Sequence, residues 1–243
     1  MKRVISILLV LTLLFSFASC QNKKTSVNLE EKVEVASSSN GIIYSLHLPK
    51  NWEATSVGAL EAVAYSNEAD AAAIHNQIEY LPFSLHIDHF IHSNSQIGTF
   101  DLDKDKVKDM YKSIFRGDTS KFRDHIVNHT NFFLNCYEME LSADKNFANH
   151  VDKNFIHDIE IEIKSGKHGK IAVATFTIEF MEKVYSGCWC VREDIPYMAI
   201  GFKNEESQIS SADIAYAVLD DLKVEEHFIE SGNSIIVNPS EEN

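Results

Sequence analysis

The chain predicts an α+β fold: a mainly antiparallel β-sheet with helices packed on one face. Two observations carry this expectation. Strand-like segments follow one another through the second half of the 243 residues, with turn residues between them. Helical spacing of apolar residues appears in the middle and again near the end. Strands therefore cluster with helices between and after them, which is the α+β order rather than a strict βαβ alternation.

Each element has a local reason. Ile42-Ile43-Tyr44-Ser45-Leu46-His47-Leu48 reads as a strand that Pro49-Lys50-Asn51 ends. Ala62-Val63-Ala64-Tyr65 is a shorter strand. Asn67 can cap a helix over 68–78, with Asp70 three residues on. Pro82 precedes a strand over 83–91. Val107, Met110, Tyr111, Ile114 and Phe115 have helical spacing over 103–115, with acids at the amino end that suit the helix dipole. Phe122 and Ile126 mark a second helical piece after Gly117. Residues 132–141 are apolar and β-prone and predict a strand.

Ile159-Glu160-Ile161-Glu162-Ile163 alternates, so one face is buried and the other is wet. Ser165-Gly166-Lys167-His168-Gly169 turns the chain into a partner strand over 171–180. Strands at 184–191 and 197–202 form a hairpin around Glu193-Asp194-Ile195-Pro196. Ser210 caps a final helix with Ile214, Ala215, Val218, Leu219 and Leu222 on one stripe. This gives one globular domain over 41–230 and a disordered tail over 231–243.

The amino end reads differently. Met1-Lys2-Arg3 is charged, and the apolar run over 4–17 has the length of a signal-peptide core, too short to span a bilayer. Phe17-Ala18-Ser19-Cys20 closes it. These residues resemble the type II signal peptide of bacterial lipoproteins: two small residues and a cysteine, with Phe17 where an aliphatic residue is usual. The resemblance implies a signal peptide over 1–19 and cleavage before Cys20. It also implies a diacylglyceryl group on the Cys20 thiol and an acyl chain such as palmitate on the new amino group. Two or more chains hold a protein on a membrane where one does not. Ser16-Phe17-Ala18 offers the alternative of ordinary secretion as a soluble protein. Residues 20–40 are polar and read as a flexible tether. Gln21-Asn22-Lys23-Lys24 lacks the acidic run associated with surface export in some lipoprotein-rich bacteria, so by that resemblance the domain faces the periplasm.

Composition excludes other classes. Once Lys2 and Arg3 leave with the signal, 20 basic residues face 36 acids, a net charge of −16. With no basic cluster, nucleic acid is a poor partner. The membrane contact is then through lipid alone. Lipidation of Cys20 leaves Cys136, Cys188 and Cys190, which read either as buried small hydrophobes or as one disulfide of Cys136 with Cys188 or Cys190 in an oxidising envelope.

Histidine is the remaining place to look for chemistry. His86, Asp88 and His92 share one face of a strand, with His89 on the other. His86 and Asp88 are about 6.6 Å apart along it. His125 and His129 are four apart, a ligand spacing on a helix, but Ile126 stands where a His-Glu-x-x-His peptidase has its base. Asp101-Leu102-Asp103-Lys104-Asp105 resembles the start of a calcium loop, yet Lys106 and Lys112 replace the glycine and glutamate that such a loop needs. Glu160 and Glu162 read as solubilising residues, and Trp52 and Trp189 as packing residues. No nucleophile elbow, phosphate loop or dinucleotide turn occurs in the sequence, so no cofactor is expected.

Tyr44-Ser45-Leu46-His47-Leu48-Pro49-Lys50-Asn51-Trp52 is similar to the opening of PsbP-like domains, which implies a non-catalytic binding or assembly domain. The expected function is a lipid-anchored envelope module that binds an envelope protein or small ligand. The alternative is a metal-dependent hydrolase using histidines of 86–92 and 125–129.

Overall fold

The computed structural model describes residues 27–36, 42–57, 60–66, 84–91, 94, 103–142, 146, 153–204 and 210–226. The expected signal peptide, the helix over 68–78 and the tail over 231–243 lie outside them. Within them the α+β class is seen, with antiparallel sheets and separate helices.

The first sheet joins β1 (Leu29–Ala36), β2 (Ile42–Pro49) and β10 (Lys223–Glu226), with β2 in the middle. β1 corrects the tether expected over 20–40. Val33 and Val35 turn inward while Lys32 and Glu34 turn outward. Its charged outer face hid a period of two. Its pairing runs from Leu29 opposite Pro49 to Ala36 opposite Ile43.

The second sheet has seven strands: β3 (Trp52–Val57), β4 (Leu60–Ser66), β5 (Ser84–His89), β6 (Ile156–Ser165), β7 (Lys170–Phe180), β8 (Lys183–Arg192) and β9 (Tyr197–Asn204). Their spatial order is β3-β4-β5-β9-β8-β7-β6. The hairpins read from sequence, β6–β7 and β8–β9, are both present. Gly187 explains one close approach between β7 and β8. A Cβ there would lie 2.2 Å from the ring of Phe176, its register partner.

Three helices are described: α1 (Lys104–Phe115), α2 (Ser120–Leu141) and α3 (Ser211–Asp221). Asp103 caps α1 by accepting from the Asp105 N–H at 3.0 Å, which satisfies one of the free donors of its first turn. α2 overturns the strand expected over 132–141. Phe122, Ile126, Thr130 and Leu134 are buried at steps of four, so one helical stripe meets the core while Phe133 stays exposed. The aromatic density of Phe132-Phe133-Leu134 misled the local reading; the longer stripe decides.

The helices do not share a face of the large sheet. α3 and the three-stranded sheet cover one side, packing Ile214, Ala215, Val218 and Leu219 against Leu85, Val173, Cys188 and Ala199. α1 and α2 cover the other, packing Val107, Ile114, Phe122 and Ile126 against Ala174, Phe176, Trp189 and Met198. Burial on both faces explains why Ile171, Ala172, Val173 and Ala174 are all buried in sequence, without alternation.

One buried cation ties the layers. Arg192 is 5% exposed. It grips Asp194 through Nε and Nη2 at 2.6 and 2.8 Å. Its Nη1 donates to the carbonyls of Leu219 and Leu222 at 3.1 and 2.8 Å. These are orphan acceptors at the carboxyl end of α3, where a cation also suits the dipole. Burial works against the Asp194 carboxylate, but the Arg192 hydrogen bond and charge hold it below its usual range.

Candidate functional site

Two places hold the residues that carry chemistry. The first lies under α2. Register places Trp189 of β8 opposite Ile200 of β9, and Ile200 opposite His86 of β5, all on the face toward the helices. α2 brings His125 and His129 onto Trp189 one helical turn apart. Their rings lie 5.7 Å from each other, and 5.7 and 5.2 Å from the indole, both edge-on to it.

Buried Asn94 fixes the tautomer of His125. Its Nδ2 donates to the Phe90 carbonyl at 2.6 Å, so its Oδ1 is the acceptor 2.6 Å from His125 Nε2. The His125 proton therefore sits on Nε2. Burial pushes His86, His125 and His129 down to about 4, and for His125 the neighbouring His129 adds to the effect. All three are neutral bases at neutral pH. Among the described residues the buried Trp189 Nε1 has no hydrogen-bond partner.

The histidines do not converge as a ligand set. Adjacent strands are about 4.8 Å apart, so His86 stands roughly 10 Å across the sheet from the Trp189 strand. His125 Nε2 is taken by Asn94. His89 faces the other side, edge-on to Tyr197 at 5.2 Å. Asp88 accepts from the His89 N–H at 2.6 Å. His92 lies outside the described residues. Among the described residues no group of three His, Cys, Asp or Glu side chains is arranged to hold a metal ion.

The thiols also stay apart. None of Cys136, Cys188 and Cys190 is in a disulfide. Cys188 and Cys190 point toward α3, while Cys136 is on α2 across the sheet. The expected disulfide from Cys136 to Cys188 or Cys190 would have to pass through the sheet. The Cys190 thiol instead hydrogen-bonds Cys188, which lowers Cys188 and raises Cys190 well above the usual thiol range. Cys20 lies outside the described residues.

The second place is the edge of the large sheet at β6. A cleft of about 450 Å³ there is lined by Arg123, Ile159, Glu160, Ile161, Glu162 and Thr175. Arg123 reaches over from α2 and donates to the Ile159 carbonyl at 2.7 Å. A bulge between His157 and Glu160, with Asp158 at φ 52°, bends the strand beside it. The alternation of Ile and Glu was legible in the sequence, but the edge position of the strand and the approach of Arg123 were not. Both depend on sheet order, which no local signal encodes.

No protein-family model, curated protein or solved structure matches the chain.

Proposed function

We propose that the chain is a bacterial envelope lipoprotein, held at a membrane by lipid on Cys20, whose α+β domain binds or assembles with another envelope component. The observation that carries this reading is the sequence Met1-Lys2-Arg3, the apolar run over 4–17, and Ala18-Ser19-Cys20 directly after it. The domain's side chains support a binding role over a catalytic one. His125 and His129 are neutral, and they are spent on Trp189 and Asn94 rather than turned to a cleft. No described helix is long and apolar enough to cross a membrane.

The tether is short. Nine residue steps separate Cys20 from the first residue of β1, a reach of at most about 30 Å when fully extended. The domain therefore works close to the surface that holds it.

Detergent phase partitioning tests the anchor. The unaltered chain is expected in the detergent phase and the Cys20→Ala chain in the aqueous phase. A Cys20→Ala chain that partitions like the unaltered one overturns the proposal.

A further inference from the structure

β6 is the last strand of the seven-stranded sheet, and among the described residues no strand lies beyond it. It runs for ten residues. Such an edge presents a row of unpaired N–H and C=O groups. The hairpin tells which groups face outward. At its turn the Gly166 N–H donates to the Gly169 carbonyl at 2.7 Å. Bonding direction alternates along an antiparallel strand, so Lys164 and Glu162 bond toward β7. Ser165, Ile163 and Ile161 then turn their backbone groups outward. Arg123 fits this phase, because the Ile159 carbonyl it caps is the next outward group in the series. The cap sets one limit and the Tyr216 hydroxyl, which donates to the Ser165 carbonyl at 2.6 Å, sets the other, so that among the described residues Ile161 and Ile163 are left open for pairing.

The two sides of this edge differ in chemistry. Ile161 and Ile163 share the helix-covered face with Ala174 and Ala172, and Ile163 is 38% exposed. Glu160 and Glu162 share the opposite face with Thr175 and Val173. Asp158, Glu160 and Glu162 on β6 and Glu179 on β7, which lies 3.9 Å from His157, outnumber the cations Lys164 and Arg123 beside them. Lys164 is already held by Glu162 at 2.6 Å and lies 5.7 Å over the Tyr216 ring.

We infer that β6 is a docking edge for an extended segment of a partner protein whose residues alternate between basic and apolar. This rests on the binding-module reading and names the partner's chemistry. Main-chain hydrogen bonds to Ile161 and Ile163 supply affinity, and alternate side chains supply selectivity. Basic residues meet Glu160 and Glu162 on one face while apolar ones cover Ile161 and Ile163 on the other. A second copy of the chain is a poor occupant. In the antiparallel register centred on the open stretch Glu162 meets Glu162 of the other copy, a destabilising like-charge pair, while Glu160 meets Lys164, so local pairing gives a second copy no clear advantage. Each copy also carries a net charge of −14, which opposes self-association.

The test uses the full chain in detergent and two labelled peptides, one alternating Lys and Val and one alternating Glu and Val, with binding read by fluorescence anisotropy at low salt. The Lys–Val peptide is expected to bind at least tenfold more tightly than the Glu–Val peptide. Ile161→Pro removes one outward N–H and leaves the bonds to β7, so it should weaken binding at least tenfold. The double change Glu160→Lys, Glu162→Lys should reverse the peptide preference, and it keeps the proposal testable if the proline variant fails to fold. Equal binding of both peptides, binding untouched by all these changes, or a dimer whose β6 amides become protected from exchange each overturns the docking edge. Such results leave the module reading standing. That reading fails separately, when Cys20→Ala partitions like the unaltered chain.

Discussion

Trp189 is the residue on which the helical side of the core turns. It is 1% exposed, with His125, His129 and Phe122 around its ring. The histidines make this packing sensitive to acid. Their folded values lie near 4 against an ordinary 6.5, lowered by burial. The unfolded chain therefore binds more protons between those values. Stability is full above pH 6.5 and falls as pH drops toward 4, by at most about 1.4 kcal/mol per pH unit for each histidine. Denaturant titrations from pH 7 to pH 4 should show this slope, and His125→Gln should flatten it; a stability independent of pH over that window contradicts the buried neutral pair. Arg192 gives a second expectation at this scale. Arg192→Met leaves Asp194 and two helix-end carbonyls without their donor, a loss of about 3 kcal/mol in unfolding free energy. A loss below about 1 kcal/mol would place the guanidinium in water rather than in the core. The i, i+4 spacing of His125 and His129 was legible in the sequence, as was the opposite facing of His86 and His89. The bond from Asn94 to His125 was not, since 31 positions separate the two residues.

Among the elements, α2 and β1 show where local pattern misleads. Residues 132–141 look like a strand because aromatic and apolar residues stand side by side. They form a helix because Leu134 continues the buried stripe of Phe122, Ile126 and Thr130. The two readings differ in what mutation should do. In the helix Leu134→Ala empties a core position and costs about 3 kcal/mol. Phe133→Ala removes an exposed ring stacked on Tyr137 at 5.8 Å and costs less than about 1 kcal/mol. Thermal unfolding that ranks Phe133→Ala as the more harmful change contradicts the helix. β1 was hidden for the opposite reason, because its outward residues are charged. β8 shows a further limit of pattern. Gly187→Ala drives a methyl into a buried phenylalanine, and the expected loss of about 1–3 kcal/mol could not be read from a glycine in a strand-like run. A Gly187→Ala chain that melts with the unaltered one removes that contact from the account.

For the whole molecule, the sequence reached the α+β class and the antiparallel hairpins because these depend on short-range periodicity. It missed the placement of helices on both faces, because the side of a sheet on which a helix packs depends on strand order. The open edge at β6 is legible only at this scale. Function at this scale depends on the amino end. A domain that binds a partner near a membrane needs both the edge and the anchor, and every functional reading above assumes that Cys20 is lipidated. Intact-mass spectrometry of the mature chain measures this directly. The account predicts an amino-terminal Cys20 carrying the mass of a diacylglyceryl thioether and an added acyl chain. An amino terminus at Ser19 with an unmodified Cys20, or an uncleaved Met1, would contradict it.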